Sequence, residues 1–159
     1  GAGSEGALGM SSAPGSSSIE ISLDPQRIDI DAVHAFLRES YWAQGIPREI
    51  VARAAGNSLC VGAYWQGNQI GFARLVTDRA TFGYLADVYV LSEHRRQGIA
   101  KQMVGALFDH PEVQGLRRLM LVTRDAHGLY ADFGFTALAA PERHMEKTDP
   151  EIYQRAVKP

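Results

Sequence analysis

The chain has 159 residues, 45% hydrophobic and 21% charged, with a formal net charge of −2. That is enough length for one domain with a core of its own, and the composition is that of an ordinary globular protein. The charge argues against nucleic acid as the main partner, which favours a basic domain, and no apolar run reaches the ~18 residues of a membrane-spanning helix.

Residues 1–17, rich in Gly, Ser and Ala, cannot bury enough apolar surface to offset ordering and read as a flexible tail. Residues 1–9, upstream of Met10, read as an expression remnant, and no basic region followed by an apolar core marks a secretion signal. The expectation is a single domain over residues 18–159. Ile19 to Leu23 alternates as a strand does, and Asp31 is placed to cap a helix over residues 32–40 with Val33, Phe36 and Leu37 on its buried stripe. Tyr41-Trp42-Ala43-Gln44-Gly45-Ile46-Pro47 interrupts it, and Pro47 suits the first turn of a second helix, 48–55, ended by Gly56-Asn57.

Two strands follow, 59–65 and 69–77, with a hairpin signal at Gly67-Asn68. The first carries Cys60, the only cysteine, which excludes an internal disulfide and points to a reducing, cytoplasmic compartment; its apolar neighbours suit a buried structural thiol. A third strand, 84–91, sets Leu85, Asp87 and Tyr89 on one face and Ala86, Val88 and Val90 on the other. After a polar turn, the spacing of Ile99, Met103, Ala106 and Leu107 predicts a helix running to about His110, where Pro111 marks its end. Residues 118–123 are apolar on both faces, as in a central strand. A short helix over 126–133, capped by Asp125, strands at 135–138 and 143–147, and a terminal helix from Asp149-Pro150 complete the prediction. His34, His110 and His144 show no ligand spacing with one another or with Cys60, so no metal site is predicted.

The strand-turn-helix at residues 85–101 has a chemical consequence. The first N–H groups of a helix lack intrahelical partners and carry the positive end of its dipole, so they attract an anion. Gly98 lets a ligand approach the main chain, Ala100 is nearly as small, and Arg95, Arg96 and Lys101 add positive charge. A diphosphate suits that spot.

Arg95-x-x-Gly98-x-Ala100 after a Val-x-Val strand resembles the acyl-CoA pyrophosphate motif of the GNAT (N-acetyltransferase) superfamily. Downstream, Ala126-His127-Gly128-Leu129-Tyr130-Ala131-Asp132-Phe133-Gly134-Phe135 resembles that superfamily's second signature, and the two occur in the expected order. The resemblance covers roughly Ser18 to Lys147. It implies an α/β (α+β) fold with a mixed, mostly antiparallel sheet flanked by helices and splayed between the fourth and fifth strands. It also implies acetyl-CoA as acyl donor, held by main-chain groups of Val88 and Val90 and by Arg95, Arg96, Gln97, Gly98, Ile99, Ala100 and Lys101. Thr123 stands where many relatives have an Asn that bonds the pantetheine.

Among implied catalytic residues, Tyr130 falls on the signature tyrosine that protonates the departing thiolate. A phenol with pKa about 10 matches a thiol leaving group. Asp87 is the candidate base or amine-orienting group, with a water chain to Asp87 or Tyr84 as another route; Ala86 occupies the position where some relatives carry Glu. His127 could share a helix face with Tyr130, although an exposed helix histidine is the commoner case, and His94 sits in the turn beside the cradle. For the acceptor, the loop with Tyr41 and Trp42 is expected to wall the pocket together with Tyr84, while Arg74, Arg48 or Arg143 would hold a substrate carboxylate. The expected function is therefore acetyl transfer from acetyl-CoA directly to the primary amine of a small molecule or amino-acid derivative. The alternative is a non-catalytic acyl-CoA sensor of the same fold. A phosphate-loop nucleotide enzyme is disfavoured because the G-x-x-x-x-G-K-[ST] pattern is absent. Dimers are common in the superfamily, and an exposed last strand would offer a homodimer interface.

Overall fold

The computed structural model describes residues 18–155, so the readings made for residues 1–17 lie outside the described residues. Five strands form one sheet in chain order: β1 (Glu20–Ser22), β2 (Leu59–Trp65), β3 (Asn68–Thr77), β4 (Phe82–Val90) and β5 (Arg118–Leu121). The first three junctions are antiparallel and β4–β5 is parallel. A parallel pair needs a long crossover, and here it contains a helix, α3 (Ile99–Phe108). Helices α1 (Ile30–Leu37) and α2 (Arg48–Gly56) precede β2, while the short α4 (His127–Ala131) and α5 (Ile152–Arg155) follow β5.

Two apolar clusters hold the helices to the sheet. Ile99, Met103, Val104 and Leu107 of α3 pack with Val61, Ala63, Ile70, Ala73 and Leu85 on one face. Val33 and Leu37 of α1 and Val51 of α2 pack with Cys60, Phe72 and Tyr89 on the other. With both faces covered, β2 and β3 are buried along most of their length, which is why they read as nearly continuous apolar runs.

What positions the site is an interruption of this sheet. β4 has nine residues, yet β5 pairs only with its first four, from Phe82↔Arg118 to Leu85↔Leu121. Immediately beyond, the β3–β4 register slips: Arg74 faces Ala86 and Phe72 faces Tyr89, so Asp87 and Val88 together oppose Ala73. Asp87 takes a left-handed φ of 58°, the geometry of a β-bulge, which bends its strand. The two strands therefore part at Leu85, as the resemblance implied.

Several elements differ from their predicted bounds. The cap of α1 is Asp29, whose carboxylate accepts from the Ala32 N–H at 3.1 Å, so the helix starts earlier than an Asp31 cap would allow. It also ends at Leu37, because the Ser40 hydroxyl donates to Leu37 O (2.7 Å) and accepts from Ala43 N (3.1 Å), diverting the chain into the loop. The tight turn between β2 and β3 falls on Gln66 and Gly67, both at positive φ, and Asn68 already belongs to β3. The cap expected from Asp125 is not made: the N-cap of α4 is Ala126, which has no polar side chain to cap with, and Thr123 Oγ1 accepts from Ala126 N at 3.0 Å in the loop before the helix. Residues 135–138 and 143–147 form no strand. Pro141 cannot donate to a ladder, and the chain there closes local bonds, Arg143 N to Ala140 O and His144 N to Pro141 O.

The caps make a simple test. Asp29→Ala should lower unfolding free energy by about 1 kcal/mol in a denaturant titration, the usual cost of losing such a cap. Asp31→Ala, which removes only an exposed ion pair with Arg48, should cost about half of that or less.

Candidate active site

The turn from β4 into α3 is shaped by two left-handed residues, Arg96 (φ 66°) and Gly98 (φ 76°). Gly98 stands at the N-cap of α3 and has no side chain to cap with, and the helix's first turn contains no acidic residue. Its leading N–H groups are thus left for an external anion. A Cβ built on Gly98 would meet no atom within 4 Å, so open space lies against the main chain there. Ile99 anchors the turn in the core, while the Gln97 side chain is exposed.

The basic residues divide their work. Arg95 Nε donates to Val90 O at 2.9 Å, which braces the loop against the end of β4. Lys101 Nζ lies 3.2 Å from Asp132 Oδ2, an exposed pair joining α3 to the end of α4. Arg95, Arg96, Gly98, Ile99, Ala100 and Lys101 all line one cavity of about 490 Å³, which continues along Val88, Tyr89 and Val90 to Ala126, Leu129 and Tyr130. Leu91 N–H donates to Ile70 O across the sheet, so by alternation the main-chain groups of Val88 and Val90 face the side that β5 has vacated. They border a slot into which an extended, amide-bearing chain could pair.

A second cavity, about 520 Å³, opens on the other side of the parted strands. Its wall includes Tyr41, Trp42, Arg74, Tyr84, Asp87, Thr123, Asp125 and Tyr153. The two cavities share Trp42, Val88, Ala126 and Tyr130. Tyr130 is buried, and its removal from water pushes the phenol above its ordinary pKa, which keeps the proton on oxygen.

Asp87 is held on both sides. Trp42 Nε1 donates to Oδ1 at 2.8 Å and Arg74 Nε to Oδ2 at 2.6 Å, and only 11% of the Asp87 side chain is exposed. Arg74 also donates to Ser58 Oγ at 3.2 Å. This network fastens the bulge to β3 and to the loop after α1. The same loop is fixed to α1 by Gly45 N–H to Arg38 O (2.9 Å) and by a 3.0 Å contact between His34 Nε2 and Ile46 O. Tyr41 and Trp42 meet edge to face at 5.1 Å, and the Arg124 guanidinium lies 3.6 Å from the Tyr41 ring centre.

The structure thus brings Tyr130, Asp87, Tyr41, Trp42, Arg74, Tyr84 and the turn into α3 to two adjoining cavities that share part of their walls. His94 lines the first cavity and stacks near Trp65. His127 is exposed on α4, Arg48 is turned to Asp31, and Arg143 is exposed on the 3-10 turn after α4. Thr123 lies on the wall of the second cavity, with its oxygen already accepting from Ala126 N. Two participants were missed from sequence. Phe36 stacks on Tyr89 at 3.9 Å and lines the first cavity, while Tyr153 of α5 reaches the second. Phe36 was read as core, and nothing in the sequence places Tyr153.

A parallel pair that opens beside a bulge, with a helix N-terminus at the head of the gap, is the fold that the resemblance implied, and the comparisons agree. The acetyltransferase (GNAT) family profile matches residues 24–135, and the chain belongs to that family. Its sequence is 33% identical over 135 residues to FG08082 of Gibberella zeae, a protein named as a presumptive acetyltransferase, covering 69% of this chain and 74% of that one. A crystal structure from Xanthomonas campestris pv. campestris, described as an acetyltransferase of the GNAT family by inference, superposes with a TM-score of 0.83 at 45% identity, over 86% of this chain and 96% of the other. An inferred acetyltransferase from Clostridium acetobutylicum, crystallised with acetyl-CoA, shares the fold at a TM-score of 0.60 and 17% identity, over 82% and 95% of the chains.

Cys60 stands apart from this space. It is buried, its Sγ lies 3.5 Å from Ala55 O, and burial pushes its thiol up to about 11. At pH 8 it should ignore an aromatic disulfide reagent in the native protein and release one equivalent of chromophore once the chain is unfolded; rapid native labelling would contradict its burial.

Proposed function

We propose that the protein transfers an acetyl group from acetyl-CoA directly to a primary amine. The observation that carries this reading is the shared wall of Trp42, Val88, Ala126 and Tyr130, which joins a cavity suited to a diphosphate-bearing donor to one suited to an acceptor. The acetyl-CoA bound by the Clostridium acetobutylicum neighbour supports the choice of donor.

On this reading the uncapped N–H groups of α3 and the Arg96 charge hold the diphosphate, and the free edge of β4 pairs with the amide-bearing arm. A main-chain N–H near Val88 is the candidate donor to the oxyanion. The neutral amine nitrogen bonds to the thioester carbon, the carbon–sulfur bond breaks, and the sulfur takes the proton of the Tyr130 phenol. The amine's surplus proton passes to water and restores the phenol. Asp87, with both oxygens engaged, serves better to orient Trp42 and the amine than to carry a proton. Most of the barrier reduction comes from holding two reactants in line, an effect that can reach about 7–11 kcal/mol.

Tyr130→Phe should lower turnover about a hundredfold with acetyl-CoA affinity nearly intact, measured by thiol release and calorimetry. Because burial raises this phenol, the alkaline fall in wild-type kcat should come above pH ~10 if the phenol is the group that titrates. Unchanged turnover in the variant would reject the acid role. Gly98→Val should abolish coenzyme A binding by filling the cradle. Its left-handed φ also adds strain of about 1–3 kcal/mol, so a melting curve must accompany the titration. A folded Gly98→Val protein that binds as tightly as wild type would overturn the donor site.

A further inference from the structure

We infer that the acceptor is an amine on an apolar or aromatic body that carries no carboxylate or phosphate of its own. This deepens the proposed function and rests on it, because it concerns the second cavity only. Among the described residues, the charged side chains in that wall are Arg74, Asp87 and Asp125: two carboxylates against one guanidinium, a net of one negative charge. The single cation is already committed. Arg74 Nε lies 2.6 Å from Asp87 Oδ2, its Nη1 donates to Ser58 Oγ, and the ion pair is largely shielded from water. Drawing Arg74 toward a substrate acid would leave Asp87 without its ion-pair partner in a site that excludes most solvent, a costly exchange.

Asp125 is different. It sits in the exposed loop before α4 and forms no ion pair among the described residues. Its charge draws an ammonium to the cavity and repels a carboxylate. The remaining wall supplies Trp42, Tyr84 and Tyr153, whose rings favour a cation or a planar apolar body, while one face of the Tyr41 ring is already covered by the Arg124 guanidinium. Arg124, the nearby cation, is not part of that wall, and its guanidinium is stacked at the Tyr41 ring. A free amino acid would therefore bring its amine to a favourable place and its carboxylate to an unfavourable one. The same molecule without the acid loses only the penalty.

The test is a set of matched pairs given to the full chain with acetyl-CoA: phenethylamine against phenylalanine, tyramine against tyrosine, and tryptamine against tryptophan. Phenylalaninamide serves as the size-matched control. Thiol release gives kcat/KM, and calorimetry on the coenzyme A complex gives affinity. Each acid-free member should exceed its amino acid by about tenfold or more, a factor equivalent to about 1.4 kcal/mol, and phenylalaninamide should side with the amines. Asp125→Asn should shrink the gap severalfold at low salt, whereas Arg124→Gln should not close it. Parity, a preference for the amino acids, or no response to any acid-free member by either readout would overturn the inference. Failure of acetyl-CoA itself to bind would overturn the donor reading instead, so the two failures are distinguishable.

Discussion

A strand can keep a neighbour on each side only while its pleat stays regular, and β4 loses that regularity at Asp87. Up to Leu85 it holds β3 on one edge and β5 on the other; β5 ends at Leu121, opposite Leu85, and the left-handed Asp87 bends β4 just beyond. A non-glycine residue in that conformation carries strain of about 1–3 kcal/mol. The strain is held by the Arg74 ion pair and the Trp42 hydrogen bond, both made by the same carboxylate. Both cavities, the free main-chain edge between them and the approach of α4 follow from this one departure.

The opening also explains how Tyr130 can be buried and still line both cavities. It stands on a helix of only five residues, yet Phe135 packs edge-on to its ring and Phe135 N–H closes back on Tyr130 O. Phe108 of α3 meets Phe133 and Phe135, so the short helix is tied to the long one by aromatic contacts and needs little stability of its own. The phenol is thereby held at the junction of the cavities by the core.

The strands from β2 to β4, the long helix and the glycine turn that opens it were legible because each depends on local pattern: alternation, helical spacing, and a glycine where a helix begins. Caps were less legible, since Asp29, Asp31 and Asp125 are all competent residues, and the chain's path uses only Asp29 and leaves α4 uncapped. Residues 135–138 and 143–147 were misread as strands: Phe135 packs against Phe108 of α3, and the chain after it closes local bonds with no ladder formed. The Trp42–Asp87–Arg74 network was not legible. Its partners lie 45 and 13 residues apart in sequence, and only the bulge makes them meet.

The loop carrying Tyr41 and Trp42 is tied mainly to its own preceding helix, through Ser40, Gly45 and Ile46. Tyr41 leans outward, 61% exposed, while Trp42 reaches back to the bulge. On the proposed reading, descendants of this chain are free to change residue 41, and with it the clientele, while the donor cavity stays as it is. A change at residue 42, which lines both cavities, would touch both at once, which makes that tryptophan the position on which diversification would turn or stall.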